Sequence, residues 1–218
     1  MENHPPTHLM DEGNLFVVAA PSGTGKTTLV KALVESLTKL AVSISHTTRP
    51  MRPNEKDGVN YYFVEQASFE RSITANEFLE YAKIFDHYYG TSRKMVEQTL
   101  QKGIDVILEI DWQGYHQIRE SLPKTIGIFI LPPSFDDLRV RLIKRNQDHP
   151  DIIARRLADV KETVAHMHEF DYVVINDDFS RALLDLQTII GASRLLYRRQ
   201  VNRFRQMISH LTNPAERI

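Results

Sequence analysis

Residues 20–28, Ala20-Pro21-Ser22-Gly23-Thr24-Gly25-Lys26-Thr27-Thr28, bring glycines, a lysine and hydroxyls together at a spacing suited to holding a polyphosphate. Glycines let backbone N–H groups converge on phosphate oxygens, and a helix N-terminus adds partial positive charge. Lys26 is spaced to reach the β- and γ-phosphates, and the Thr27 hydroxyl to ligate Mg²⁺. The run follows G-x-x-x-x-G-K-[ST] with one departure, Ala20 in place of the first glycine. Apolar Leu15-Phe16-Val17-Val18-Ala19 precedes it and Leu29-Val30-Lys31-Ala32-Leu33-Val34 follows it. Strand, tight turn and helix in that order are the context in which the motif predicts a nucleoside triphosphate site over residues 20–28.

Other charged residues are spaced for chemistry. Arg49 and Arg52 stand three apart in Ser45-His46-Thr47-Thr48-Arg49-Pro50-Met51-Arg52, at the carboxyl end of an expected strand. Ligands of open α/β sheets sit beyond such ends, and the planar guanidinium suits bidentate contact with phosphate. Glu109 and Asp111 end an apolar run one residue apart, which puts both carboxylates on one face of a strand. Arg139, Arg141, Lys144 and Arg145 fall on one expected helix and Arg155-Arg156 on the next, around polar 146–150. Taken singly, each set also fits an ordinary solvated surface. His166 and His168 are i, i+2 on a helix and point different ways, so they are not read as metal ligands. Trp112 reads as a packing residue.

The elements that must position these groups alternate. Five apolar runs, 15–19, 42–45, 106–110, 125–131 and 172–175, read as buried strands. Helical patterns separate most of them: one from the glycine-rich turn to about Leu40, one from Ser134 after Pro132-Pro133, one over about 152–170, and a last from Phe179. Ser134-Phe135-Asp136-Asp137 has capping-box character. Alternating strands and helices imply a parallel sheet covered on both faces. The stretch 49–92 breaks the alternation. It holds a charged turn, a strand at 61–64, a short helix near 69–76, and more strand at 78–85 and 88–91, which suits a second substrate site.

Six segments resemble guanylate kinases, in that family's order and spacing over about residues 13–191. They are Ser45 to Arg49, Tyr61-Tyr62-Phe63-Val64, Phe78-Leu79-Glu80, Tyr88-Tyr89-Gly90-Thr91-Ser92, Ile110-Asp111-Trp112-Gln113-Gly114 and Val174-Ile175-Asn176-Asp177-Asp178. The resemblance implies a P-loop NTPase three-layer α/β fold. Its parts are a five-stranded parallel core sheet, a mixed αβ GMP-binding insertion at about 45–92 and a helical lid at about 139–160. It also implies ATP + GMP ⇌ ADP + GDP with Mg²⁺ as cofactor. By position, Arg49, Arg52, Tyr61 and Tyr89 would hold the GMP phosphate, Ser45, Glu80 and Thr91 the guanine, and Glu109 the GMP nucleoside. Asp111 would lie near Mg²⁺, bound by Thr27, and near the transferring phosphoryl. Arg145 and Arg156 would close over the triphosphate, and Asn176 and Asp177 would lie near the adenine. Glu109 stands where many relatives have Asp, and Asn146 where the family commonly has Gly. A carboxylate accepts only, which suits the N1–H and 2-amino group of guanine and leaves adenine unmatched. Rival readings are a catalytically inactive interaction module of the same family and a kinase for another nucleoside monophosphate.

Composition sets the outer bounds. With 218 residues, 42% hydrophobic and 25% charged, the chain has room for one sizeable α/β domain. Lys and Arg total 27 against 28 Asp and Glu, a formal charge of −1, so no basic excess points to nucleic acid. Zero cysteines exclude disulfides and thiolate metal sites. No apolar stretch has the length of a membrane span. The resemblance implies small-molecule partners, ATP and GMP with dGMP as a further candidate, and the cysteine-free composition fits the cytoplasm. Residues 1–12 read as a disordered leader and 192–218 as a helical extension. In the extension Tyr197, Val201, Phe204, Ile208 and Leu211 recur at spacings 4, 3, 4, 3 among Arg194, Arg198, Arg199, Arg203 and Arg205. That seam suits packing on the chain's own core or a homodimer contact, with RNA or another acidic surface as a third alternative.

Overall fold

The computed structural model describes residues 12–84, 86–144 and 150–212, without the side chains of 144 and 150–156. Its core is one parallel sheet of five strands in the order β2-β7-β1-β8-β9. These are β1 Leu15–Ala19, β2 Leu40–Val42, β7 Asp105–Leu108, β8 Ile126–Leu131 and β9 Tyr172–Ile175. β1, in the centre, is buried at all its positions because neighbours pair on both edges and helices cover both faces. Its side chains alternate between two cores. Phe16 and Val18 pack with Leu29, Leu33 and Leu186 on one face, and Val17 and Ala19 with Val96, Tyr115 and Phe129 on the other. This is the two-sided burial that makes a parallel strand read as an unbroken apolar run.

Helices α1 Lys26–Ser36 and α7 Phe179–Arg194 cover the first face. Helices α3 Arg93–Gln101 and α4 Trp112–Ser121 cover the second; neither stood out in the sequence. α1 stops short of the expected Leu40. Leu37 is already extended, and Leu40 is spent as a buried strand residue pairing with Asp105. The strand expected at 42–45 therefore starts earlier and ends at Val42, and 43–45 carry the chain to a second sheet.

That second sheet has four strands in the order β4-β3-β6-β5: β3 His46–Thr47, β4 Tyr62–Phe63, β5 Phe78–Ile84 and β6 His87–Ser92. Helix α2, Gln66–Thr74, packs Phe69 against Phe78 and Tyr88. Along β5 three successive residues are buried, which simple alternation forbids. The register slips between Phe78 and Glu80: Phe78 pairs with Ser92 and Glu80 with Thr91. This irregularity sends Leu79 into the main core while Glu80 meets Thr91, as bulges re-aim side chains beside sites.

Helices α5 Phe135–Lys144 and α6 Pro150–Ala165 follow β8, and a 3₁₀ turn, His166–Glu169, leads into β9. Ser134 opens α5 as the spacing predicts, its Oγ accepting the Asp137 amide at 3.0 Å and contacting the Asp137 carboxylate. Leu138 and Leu142 are buried, one turn apart, against Val160; Val140 and Ile143 face solvent. The C-terminal segment forms two short helices, α8 Tyr197–Arg203 and α9 Arg205–Thr212, so the continuous seam is interrupted at Phe204. Tyr197 is 83% and Leu211 73% exposed. What this segment buries is Arg199, which meets Asp105 at the amino end of β7. Residues 1–11 and 213–218 of the expected leader and extension lie outside the described residues.

Candidate active site

The loop between β1 and α1 is shaped by two glycines with left-handed backbone, Gly23 (φ 89°) and Gly25 (φ 96°). A Cβ on Gly23 would meet the Leu142 side chain at 2.8 Å, and one on Gly25 would meet the Asn176 amide at 2.8 Å. Between them Thr24 is buried and its hydroxyl donates to the Pro21 carbonyl at 2.7 Å. The Thr24 carbonyl is held twice, by Asn176 Nδ2 at 2.7 Å and by an Arg141 guanidinium nitrogen at 3.1 Å. Arg141 also donates to the Asn176 carbonyl at 3.1 Å. Helices α3, α4 and α7 begin with side-chain caps from Ser92, Asp111 and Asp178. α1 begins at Gly25 with none, which leaves its first-turn amides for a ligand.

Lys26 opens α1 facing Glu109 and Asp111. Burial pushes its ammonium below the ordinary lysine value, and the two carboxylates act to raise it. Thr27 Oγ1 donates to Glu109 Oε2 at 3.0 Å. The Glu109 carboxylate thus meets the Thr27 hydroxyl, and its charge also acts on Tyr61 of the second sheet. Asp111 caps α4 by accepting the Gly114 amide at 2.8 Å. Thr27, Glu109 and Asp111 make a set of oxygen donors, the chemistry a magnesium ion takes.

The second sheet presents the other cluster. Arg49 lies over the rings of Tyr61 and Phe63, at 5.6 and 5.8 Å from their centroids. It is also bound to Glu55 Oε1 at 2.7 Å. Burial lowers its pKa, but the bonds to Glu55 and Tyr89 outweigh that and leave it raised. The other Glu55 oxygen accepts the Arg52 amide at 2.8 Å, so one carboxylate shapes the loop between the two arginines. Glu55 escaped the sequence reading; its only signal was its place three residues beyond Arg52. The Arg52 side chain is exposed. Tyr61 and Tyr89 meet edge to face, centroids 5.8 Å apart. Ser45 is half-buried beside β4, its carbonyl accepting the Tyr62 amide at 2.9 Å.

Glu80 is 5% exposed, and Thr91 Oγ1 donates to its Oε1 at 2.6 Å. Among the described residues it makes no ion pair. Burial pushes its pKa up from 4.5 to about 7; the Thr91 hydrogen bond opposes this and the charge of Asp111 adds to it. Its other oxygen lies 3.0 Å from where a Cβ on Gly114 would stand, so a side chain there would crowd it. Glu80 and Asp111 thus face one another across the start of α4, joining the two clusters.

Asn176 and Asp177 come together at the end of β9, with different partners. Asn176 is 7% exposed and its amide is committed to the loop. Asp177 pairs with Arg181 at 2.5 Å. Arg141, grouped in the sequence with a solvated basic face, in fact braces the loop, which only the docking of α5 on Gly23 determines. Arg145 and Asn146 lie outside the described residues. Arg156 falls on α6, but its side chain is not among those described.

The family model described as guanylate kinase matches residues 12–193. The chain belongs to the guanylate kinase family. Curated guanylate kinases that it resembles include one from Vibrio vulnificus (strain YJ016), 52% identical over 93% of this chain and 99% of the relative. Another, from Legionella pneumophila (strain Paris), is 48% identical over 92% and 96%. The crystal structure of guanylate kinase from Anaplasma phagocytophilum aligns with a TM-score of 0.73 at 32% identity, covering 88% of this chain and 91% of that one. The α/β fold with its five-stranded parallel sheet matches that guanylate kinase structure.

Proposed function

We propose that this ATP:GMP phosphotransferase, a guanylate kinase by its family match and its relatives, transfers the γ-phosphoryl of ATP directly to a GMP whose base is read by Glu80. The observation that carries this is Glu80, a buried carboxylate with a hydroxyl partner and no cation among the described residues, facing Asp111 beside the glycine-rich loop. Guanine supplies the two adjacent N–H donors such a carboxylate lacks; adenine, with an acceptor at N1 and no 2-amino group, does not. Ser45 offers a hydroxyl toward O6, while the Thr91 hydroxyl, its proton donated to Glu80, orients that carboxylate on the guanine edge. Arg49, Arg52, Tyr61 and Tyr89 are assigned to the acceptor phosphate, with Glu55 holding Arg49 in place before it arrives. GMP's phosphate is already anionic at neutral pH, so positioning and charge stabilisation carry the reaction and no general base is required.

The donor lies along residues 20–28, with α1 amides and Lys26 on its phosphates, and Asn176 and Arg141 holding the loop rigid from behind. Asp177 is assigned to the adenine side. Thr27, with Glu109 and Asp111, would hold Mg²⁺. When bound, the ion neutralises charge on the triphosphate. Arg145 and Arg156 are assigned to a lid at about 139–160 that closes over it, and 45–92 to the acceptor-binding insertion. The oligomeric state is monomer or homodimer, with the exposed Tyr197 and Leu211 of 192–218 as the candidate contact, and apparent mass in solution decides between them.

The deciding experiment is ADP release with GMP, dGMP, AMP, UMP, CMP or TMP as acceptor, run on the wild type and Lys26→Ala. GMP should be strongly preferred and Lys26→Ala should lose roughly a thousandfold in turnover. Efficient use of AMP would overturn the role of Glu80, and near-normal turnover by Lys26→Ala would overturn the donor site. An inert wild type would leave the interaction-module reading standing instead.

A further inference from the structure

Where α4 meets the 3₁₀ turn before β9, His116, His166 and Glu169 converge, with one ligand atom from each lying within 4.8 Å of the others. Each carboxylate oxygen of Glu169 meets a different imidazole: Oε1 lies 2.7 Å from His166 Nδ1, and Oε2 contacts His116 Nε2. His166 is not free to turn. Its ring stacks on the Trp112 indole, centroids 3.5 Å apart and planes within 6°. His116 stands edge-on to both rings, at 83° to Trp112 and 87° to His166. The His116 side chain is 48% exposed, which leaves an open approach from solvent.

We propose that His116, His166 and Glu169 form a binding site for a borderline divalent transition ion of the Zn²⁺ class. Two imidazoles and one carboxylate are a recurrent three-ligand set for zinc, with water completing the shell. Imidazole nitrogen selects Zn²⁺, Cu²⁺ or Ni²⁺ over Mg²⁺, which prefers oxygen. The site is thus chemically distinct from the Thr27, Glu109 and Asp111 oxygens. An ion there would replace the two hydrogen bonds and tie α4, which Asp111 caps, to the turn that ends α6. The sequence reading weighed His166 only against His168, whose Nδ1 instead meets the Ala165 carbonyl at 2.8 Å. His116 enters only through the packing of α4 beside that turn.

Trp112 is the chain's single tryptophan, so its fluorescence reports this site directly. Nucleotide-free full-length protein is titrated with Co²⁺, following Trp112 quenching and the visible absorption of the bound ion. Saturation at one equivalent is expected, with displacement by Zn²⁺ and not by Mg²⁺. His116→Ala and Glu169→Gln should each abolish saturable quenching while keeping a normal unfolding transition and turnover with GMP. His210→Ala and the double variant His4→Ala, His8→Ala should quench as the wild type does. Failure of the wild type to saturate, or quenching that survives in both His116→Ala and Glu169→Gln, overturns the proposal. So does loss of quenching in the His4, His8 variant alone.

Discussion

Two buried carboxylates, Glu80 and Asp105, sit in nearly equal isolation from water, at 5% and 0% exposure, and are treated in opposite ways. Asp105 begins β7. Its Oδ1 accepts the Asn14 amide and Arg199, both at 2.7 Å, and its Oδ2 accepts Arg194 at 2.6 Å. Glu80, in the second sheet, has the Thr91 hydroxyl and faces another acid. A buried charge is tolerated when paired and hydrogen-bonded, and shifts its pKa when it is not. Asp105 therefore closes the amino end of the sheet as structure. Glu80 keeps unspent accepting capacity at the end where ligands bind.

The comparison can be broken first at Asp105. Asp105→Ala leaves Arg194 and Arg199 facing each other without their acid, and should cost roughly 3–5 kcal/mol in urea unfolding. The folded fraction should keep its turnover. Glu80→Ala should do the reverse, raising the GMP requirement on the order of a hundredfold or more. The ATP requirement should hold and stability should stay level or rise. Equal destabilisation by the two variants would end the distinction.

The pH dependence sharpens it. The folded pKa of Glu80, about 7, lies above its ordinary 4.5, so the fold favours the protonated acid. The stability this group contributes is complete below 4.5 and lost as pH rises towards 7. Guanine needs the ionised form, so GMP affinity should move the other way, falling by about tenfold per unit well below pH 7. Isothermal titration across about pH 5.5–8, from roughly 1.5 units below that value to about one unit above it, would read it, and Glu80→Gln should flatten the component due to this residue. A smaller effect is expected behind the loop. Asn176→Ala removes one donor from the Thr24 carbonyl, about 1 kcal/mol or fivefold in the ATP requirement, with GMP unaffected.

Much of the molecule was legible in its residues. The loop at 20–28 is local in sequence, so its glycines, lysine and hydroxyls announce both its turn and its chemistry. β1, β7 and β8 are legible because burial on both faces leaves an unbroken apolar run; β9 falls at 172–175 as expected, but as an edge strand that buries Val174 and leaves Tyr172, Val173 and Ile175 exposed. α3 and α4 were missed because each is short and buries few side chains, Val96 and Leu100 in α3 and Tyr115 and Ile118 in α4. Glu80 was legible as a residue type, through its resemblance to the guanine-reading acid. Its shifted pKa was not, since that comes from the slip in β5 register and the approach of Gly114.

What the sequence determined by itself was the set of groups and the local turns, because neighbours in the chain decide backbone conformation and short-range capping. Tertiary structure alone decided the partners. Arg139 and Arg141 lie on one short helix, yet Arg139 is exposed and Arg141 grips the Thr24 carbonyl. Glu109 reached Thr27, Arg199 reached Asp105, and His116 reached Glu169, each across long stretches of chain. Spacing cannot report such meetings, because they depend on how helices dock on the sheet. The same docking separates an acid spent on the fold from one kept for a ligand.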